Sequence, residues 1–251
     1  MEYSYASDRG RVRQNDEDAI FILRAGGFHS GIAHDRNLFF LADGMGGPNA
    51  GEVASALAVK SISEKIMPYL ASAHEADWHE LLCKAFQDAN KEIARHSAAN
   101  RTLSGMGTTM VSVVLSGYDL FVFNVGDSRL YVLDAAEVEL RQITKDHSVV
   151  QELIDSGRLT AEDGKHHPQK GLLTRALGTH PAVYPDSCKV ELEPGNYVLL
   201  CCDGLSDVLS DEEIRETIVK AEDLKNACSA LIDAANNAGG PDNISVILIR
   251  I

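Results

Sequence analysis

Basic residues are scarce in this sequence. Its 251 residues include 23 Lys and Arg against 37 Asp and Glu, so the formal net charge is −14. A surface with this balance repels the phosphates of nucleic acids and the head groups of anionic lipids. We therefore expect neither a nucleic-acid partner nor a membrane partner.

Cysteine pairs and long apolar runs are also absent. The five cysteines are odd in number and include no Cys-x-x-Cys pair, which argues against a zinc site and against a disulfide framework. The longest apolar stretches, 197–202 and 244–249, have the length of strands. These features predict no membrane-spanning helix and no signal peptide, and they favour reduced thiols in the cytoplasm.

The sequence contains no internal repeat and no linker rich in Pro, Gly or Ser. Hydrophobic residues make up 45% of the chain, which is enough apolar material for one large core. We predict that residues 1–251 form a single domain, and we expect a monomer.

Runs of branched and aromatic residues predict about ten strands, several of them joined by short turns. They lie near residues 3–7, 19–23, 37–42, 107–115, 119–125, 129–134, 138–143, 187–193, 197–202 and 244–250. Apolar residues at three- and four-residue spacing predict helices at 78–93 and 224–235, and we expect three more near 50–70, 147–156 and 210–220. Strands arrive in runs and helices in pairs, so the pattern favours antiparallel sheets covered by helices, an α+β fold.

Three apolar runs end at an aspartate next to a glycine, in Asp43-Gly44, Asp203-Gly204 and Gly126-Asp127. An isolated Asp-Gly pair is ordinarily a turn. A helical pattern rather than a second strand follows Asp43, however, so a hairpin does not explain that pair. A glycine beside the acid also lets a backbone carbonyl approach whatever the carboxylate binds.

Further acids stand next to strands, at Asp242 and in the run Asp16-Glu17-Asp18. Oxygen donors with almost no histidine or cysteine among them select magnesium or manganese rather than zinc or copper. Sequence alone does not show that distant acids converge. The spacing therefore leaves two interpretations open, a metal site and a set of solvated turn acids.

Nine segments between residues 10 and 247 form an ordered set of motifs. They are GRVRQNDEDAI at 10–20, LADGMGG at 41–47, GEVAS at 51–55, MGTTMV at 106–111, NVGDSRLY at 124–131, DHSVVQELIDSGRLT at 146–160, LLTRALG at 172–178, LLCCDGLSDVLSDEEI at 199–214 and GGPDNISVI at 239–247. In this order and spacing they resemble the metal-dependent serine/threonine protein phosphatases of type 2C, in their bacterial single-domain form.

The resemblance implies a four-layer sandwich of two packed antiparallel sheets flanked by helices. It also implies a site with two Mn²⁺ or Mg²⁺ ions and a possible third. Asp43 would bridge the pair, with Asp203 and Asp242 on the first ion, the Gly44 carbonyl on the second, Glu17 and Asp18 acting through bound waters, Asp127 with Asp203 on the third, and Arg13 on the substrate phosphate.

Physical chemistry supports such an arrangement. Two dications roughly 3.5–4 Å apart lower the pKa of a bridging water and screen the charge of a phosphate monoester. A guanidinium such as that of Arg13 donates two parallel hydrogen bonds to phosphoryl oxygens. Cys201 and Cys202 lie in an apolar strand rather than in a Cys-x5-Arg loop, so no covalent intermediate is expected.

Some positions differ from the family pattern. Asp16 replaces a common asparagine, Met45 stands where animal members have a histidine, and Pro48 follows the Gly46-Gly47 pair. The acid that protonates the leaving group is thus unassigned. We favour a metal-bound water over His147 or the pair His166-His167.

Residues 146–171, hereafter the flap, correspond to a mobile segment of the family. Lys170 in the flap and Arg175 just beyond it are candidates for contact with a phosphopeptide, although a solvated charge is the plainer interpretation of Lys170.

The resulting hypothesis is hydrolysis of phosphoserine and phosphothreonine on proteins, opposing a bacterial serine/threonine kinase. The alternative is a non-catalytic phosphoprotein-binding module on the same fold. The retained acids at Asp43, Asp203 and Asp242 favour the enzyme. A calcium-dependent structural module has only acidity in its favour.

Overall fold

Two antiparallel sheets form the centre of the molecule. The computed structural model describes residues 1–29, 32–47, 50–70, 76–165 and 167–251, and eleven strands lie within them. One sheet has the order β1-β11-β10-β7-β8, from β1 (Glu2–Asp8), β11 (Ile244–Arg250), β10 (Tyr197–Cys201), β7 (Arg129–Asp134) and β8 (Glu139–Gln142). The other has the order β2-β3-β5-β6-β9, from β2 (Asp18–His29), β3 (Ile32–Met45), β5 (Met110–Ser116), β6 (Asp119–Val125) and β9 (Asp186–Glu191), with the short β4 (Gly107–Thr108) also paired to β3.

Strand β3 shows why these residues form a buried layer. Phe39 and Leu41 face the second sheet, whereas Leu38 and Phe40 face the helices, and all four are fully buried. Alternate side chains of a strand point to opposite faces, so a strand covered on both faces is apolar throughout. The same logic applies to β10 and β11, whose inward residues complete the core between the sheets.

Helices cover the outer face of each sheet. They are α1 (Gly51–Leu70), α2 (Trp78–Ala99), α3 (Val149–Asp155), α4 (Ala161–Gly164), α5 (Asp203–Ser206), α6 (Asp211–Lys220) and α7 (Leu224–Asn237), with a 3-10 turn at Arg101–Leu103. Helices α1 and α2 pack on the six-stranded sheet, and α5, α6 and α7 on the five-stranded one. The α+β four-layer sandwich is therefore confirmed. No helix among the described residues is long and apolar enough to cross a membrane.

The strand expected at 107–115 is divided in the structure. Thr109 separates β4 from β5, because its backbone N–H and its side-chain hydroxyl both bond to the backbone of Asp43. The short helices α4 and α5 were not foreseen, and Asp203 proves to be the first residue of α5. The break at Thr109 and the start of α5 both occur where the sheets approach the candidate site.

Candidate active site

Asp43 and Gly44 are held by the backbone around them. The Asp43 carbonyl accepts hydrogen bonds from the Thr109 N–H and the Thr108 hydroxyl, each at 2.8 Å, and its own N–H donates to the Thr109 hydroxyl at 3.0 Å. A Cβ on Gly44 would lie 2.2 Å from the Gly51 carbonyl oxygen. Only glycine fits this approach between the end of β3 and the start of α1, so the position of the Asp43 backbone is fixed.

Asp203 and Asp242 come from neighbouring segments of the other sheet. Asp203 follows β10, and Asp242 lies just before β11. A Cβ on Gly204 would lie 1.9 Å from the Asn243 carbonyl oxygen, so the two segments are in close contact. The Asp242 carboxylate accepts a hydrogen bond from the Asn243 N–H at 2.9 Å.

Asn243 organises the segment that carries Arg13, a role that sequence analysis did not assign. Its side-chain amide donates to the carbonyls of Arg9 at 3.0 Å and Asn15 at 2.9 Å, and its carbonyl accepts from the Glu17 N–H at 2.9 Å. These three bonds fix residues 9–17 against the base of β11. The only sequence signal for this role was the position of Asn243 beside a candidate ligand.

Arg13 lies at the mouth of the site. Its Nη2 is 2.6 Å from Asp242 Oδ2, and 54% of its side chain is exposed. The hydrogen bond to Asp242 raises the pKa of the guanidinium, which keeps its positive charge. A cation therefore stands beside a cluster of acids, as the resemblance implies for phosphate binding.

The expected site residues gather around one cleft of about 550 Å³. Seven of the eight line it, namely Arg13, Glu17, Asp43, Gly44, Asp127, Asp203 and Asp242. The eighth, Asp18, does not line the cleft and is the cross-strand partner of Asp43. Acids that are far apart in the sequence thus converge, which argues against the interpretation as separate solvated turns.

The carboxylates in and beside this cleft are partly or almost fully buried and repel one another. Burial, followed by the nearby charges, raises the pKa of Asp18 to about 7 and of Asp203 to about 6. The pKa values of Asp43 and Asp127 are raised well above the usual range for the same reasons, and Asp203 is a neighbouring charge in both cases. Such a cluster is costly unless protons or cations neutralise it.

Several of these buried oxygens have no hydrogen-bond partner. Both carboxylate oxygens of Asp18 and Oδ1 of Asp203 lack a hydrogen-bond partner. Buried polar groups are normally satisfied, and oxygen donors of this type suit a hard dication. The donor set therefore fits Mg²⁺ or Mn²⁺.

The protein side chains alone do not form a complete coordination shell for a metal ion. Across the described part of the chain, no three carboxylate, imidazole or thiol side chains form a ready metal-binding group. Mg²⁺ usually keeps several waters and takes only one or two carboxylates. The site would therefore need waters as well as protein oxygens to complete the coordination of each ion.

Asp127 lies beside Asp203 at the turn between β6 and β7. Gly126, at φ +106°, makes this turn, and its N–H donates to His147 Nδ1 at 3.0 Å. The Asp127 side chain is almost fully buried and lines the cleft. Its carboxylate is therefore placed where it could take part in the site as well as favour the bend of the turn.

His147 has a structural environment. It is 6% exposed, its Nδ1 accepts from Gly126, and its Nε2 lies 3.2 Å from Asp186 Oδ2. Burial lowers the pKa of this imidazole, and it does not line the cleft. His167 also lies away from the lining, whereas His166 and Pro48 fall outside the described residues.

The two basic residues considered for phosphopeptide contact have acidic partners. Lys170 Nζ lies 3.2 Å from Asp207 Oδ1, which joins the flap to the residues after α5. Arg175 pairs with Asp186 and donates to the Tyr184 carbonyl. Neither side chain lines the cleft, and each is held in an ion pair rather than solvated as a free charge.

Comparison with known proteins gives a consistent result. Residues 4–244 match the family Protein phosphatase 2C. The chain is 38% identical over 256 residues to the serine/threonine phosphatase stp of Listeria monocytogenes serotype 4b (strain F2365), and the alignment covers 100% of this chain and 96% of that protein.

Solved structures agree. The serine/threonine phosphatase PstP/Ppp of Mycobacterium tuberculosis superposes with a TM-score of 0.85 at 38% identity, over 100% of this chain and 98% of that one. The catalytic domain of PstP in complex with two manganese ions superposes with a TM-score of 0.81 at 38% identity, over 98% and 96% of the respective chains. With its motifs, its fold and the convergence of its acids, the chain belongs to the protein phosphatase 2C family.

Proposed function

We propose that this protein hydrolyses phosphoserine and phosphothreonine in phosphoproteins, with Mn²⁺ or Mg²⁺ as cofactor. The observation that carries the proposal is the convergence of buried, partly unpartnered carboxylates beneath the exposed guanidinium of Arg13. An acidic cleft without cations would repel a phosphate, so this site requires metal ions to bind its substrate.

The metal ligands would come from both sheets. We propose that Asp43 would contribute to the binding of two ions, with Asp203 and Asp242 on the first and the Gly44 carbonyl beside Asp43 on the second. Glu17 and Asp18 would act through bound waters, and Asp127 with Asp203 would hold a looser third ion. When bound, such ions supply an activated water near neutral pH and neutralise the charge of the phosphate.

The side chains of the site then perform distinct tasks. Arg13 donates hydrogen bonds to the phosphoryl oxygens, where a guanidinium matches two acceptors at once. The hydrogen bond that Arg13 donates to Asp242 holds the guanidinium at the mouth of the cleft, and Asn243 fixes the segment that carries it. Orientation of this kind lowers the entropic barrier to the reaction.

A cysteine nucleophile does not suit this chain. Cys201 and Cys202 are fully buried, and burial raises the pKa of Cys201 to about 12 and the pKa of Cys202 well above its usual range. The thiolate is the reactive form, and neither residue would populate it near neutral pH. Attack by water, without a covalent intermediate, is therefore the mechanism we propose.

The setting of the enzyme can also be proposed. We infer one phosphatase domain over residues 1–251, acting as a monomer on phosphoproteins that include a bacterial serine/threonine kinase or its targets. All five cysteines are free, and three of them are buried, which suits a reducing compartment such as the cytoplasm.

The test is hydrolysis of p-nitrophenyl phosphate and of a phosphothreonine peptide, with added manganese and with EDTA. We expect activity with manganese and none with EDTA. Full activity after stripping of the metal would contradict metal dependence. Tight phosphopeptide binding without any turnover would instead support the binding-module alternative.

A further inference from the structure

A second cavity opens from the catalytic cleft beneath the flap. This side groove has a volume of about 710 Å³, larger than the cleft itself. The two share Asp127, Gly171, Asp203 and Asp207, so the groove is continuous with the place where the phosphate would bind. A phosphoprotein segment that enters the cleft can therefore extend into the groove.

Part of the lining of the groove is apolar. Val150 and Ile154 of α3, within the flap, and Leu209, just before α6, contribute to it. A long basic side chain has an apolar stem and a charged end. Such a stem suits this part of the lining.

The groove has more acids than cations along its lining. Three cations line it, but each has an acidic partner: Arg129 with Asp146, Lys165 with Glu162, and Lys170 with Asp207.

Two of the acids at the start of α6 also have partners. Glu213 closes the capping box with Ser210, and Glu212 pairs with Arg215. Asp211 is different, since it is exposed and forms no ion pair or hydrogen bond among the described residues. Besides Asp127 and Asp203, which it shares with the cleft, the groove thus offers the unpaired carboxylate of Asp211 to whatever enters it.

We propose that the side groove binds the residues flanking the phosphorylated residue of the substrate, and that Asp211 selects a lysine or arginine there. This inference rests on the proposed phosphatase activity and adds a substrate preference to it. The supporting observations are the continuity of the two cavities, the apolar side chains of the flap and of Leu209 in the lining, and the charge complementarity between Asp211 and a basic side chain. The occupant is a segment of the phosphoprotein substrate itself.

The test compares phosphothreonine peptides that differ at single flanking positions, with arginine, alanine or glutamate at each. We expect kcat/KM to favour arginine over glutamate at one or more positions on one side of the phosphothreonine. Asp211→Asn should reduce the ratio of kcat/KM for the arginine peptide to that for the glutamate peptide by about two- to fivefold, the range expected for an exposed charge pair. Higher salt should reduce it in the wild type as well.

Asp233→Asn is the matched control, because Asp233 is an exposed acid on α7 that does not line the groove. It should leave the ratio unchanged, and both variants should hydrolyse p-nitrophenyl phosphate at the wild-type rate. Asp211→Lys should turn the preference toward glutamate, and its melting temperature reports whether the start of α6 remains intact.

The alternatives give distinct results. Hydrolysis of all peptides at one rate, or an unchanged ratio in Asp211→Asn, would overturn the groove proposal and leave the phosphatase standing. Non-competitive inhibition of p-nitrophenyl phosphate hydrolysis by an unphosphorylated basic peptide would indicate that the groove binds a separate ligand. That result would also overturn the groove proposal. Absence of hydrolysis with every substrate would overturn the proposed function, and this inference with it.

Discussion

The backbone around Asp43 and Asp203 fixes the strand-end wall of the cleft, whereas the guanidinium of Arg13 is held by one ion pair. Asp43 has its N–H and carbonyl bonded to residues 108 and 109, and Asp203 starts a helix whose contact with residue 243 admits only glycine at 204. The loop of Arg13 is attached by Asn243 and by a backbone bond from the Arg11 N–H to the Gly240 carbonyl, but the exposed Arg13 side chain itself is held by its ion pair with Asp242. Asp43 and Asp203 thus form the rigid wall, and the side chain of the proposed phosphate ligand forms the adjustable one.

The difference suggests a division of tasks. Metal coordination needs oxygens whose positions tolerate little error, and sheet ends provide them. Substrate recognition has to accept many phosphoproteins, and a half-exposed side chain on a loop adapts more readily. Damage to the first wall should therefore abolish chemistry, and damage to the second should weaken it.

The largest effect is expected for the rigid wall. Asp43→Ala and Asp203→Ala should each lower kcat by about a thousandfold or more, because each removes a proposed ligand of the metal pair, which supplies several kcal/mol. Both variants should fold, since removal of a buried carboxylate relieves repulsion.

Two measurements check this prediction. Circular dichroism should show a native fold for both variants, and manganese should raise their melting temperature less than it raises that of the wild type. A rate near that of the wild type in either variant would contradict the proposed metal centre.

A smaller effect is expected for the adjustable wall. Arg13→Ala should lower kcat/KM by about 30- to 150-fold, equivalent to roughly 2–3 kcal/mol for a charge-assisted contact. Manganese affinity, measured by calorimetry, should change little. Arg13→Lys should recover part of the loss, whereas equal kcat/KM in Arg13→Ala would mean that the phosphate is bound elsewhere.

Asp127 provides an intermediate case between the two walls, because it lies on a turn but its carboxylate is close to Asp203 of the rigid wall. If it holds a third ion, Asp127→Asn should lower kcat by about tenfold, roughly 1.4 kcal/mol, and raise the manganese concentration needed for half-maximal rate. Calorimetry should still detect two bound ions. Unaltered kcat and metal dependence would reduce Asp127 to a turn residue.

The smallest effect concerns pH and is confined to the rigid wall. The raised pKa values of Asp18 and Asp203 stabilise the metal-free fold at low pH, and this contribution is lost as pH rises through about 6 to 7. Metal binding needs the deprotonated forms and releases protons.

The gap in melting temperature between manganese-loaded and EDTA-treated protein should therefore widen from about pH 5 to about pH 8. The proton release itself can be measured by calorimetry in two buffers of different ionisation enthalpy. A gap independent of pH would mean that these carboxylates do not bind the metal.

Sequence reasoning reached most of the fold because its signals are local. The apolar runs that end at Asp43 and Asp203 predict strands whatever their partners, and the capping pattern at Ser210 predicts the start of α6. The break at Thr109 has no local signal, because it depends on the hydrogen bonds that residue 109 makes with Asp43.

The same distinction applies to the site. The acids could be identified by type and by their position at strand ends, and the structure brings seven of the eight expected residues to one cleft. The roles of Asn243 and His147 could not be foreseen, since each depends on backbone groups that are remote in sequence or shaped by a turn. Polar residues that support other residues are recognised only through their partners.

The pairing of β1 with β11 has a consequence for biosynthesis. Arg13 contacts Asp242 across 229 residues of chain, and the strands that precede and follow them are adjacent in the same sheet. Until β11 leaves the ribosome, β1 and β10 lack their shared neighbour, and the loop of Arg13 lacks Asn243. The domain therefore cannot act on phosphoproteins before β11 has been synthesised, so the site stays inactive while the ten preceding strands are translated.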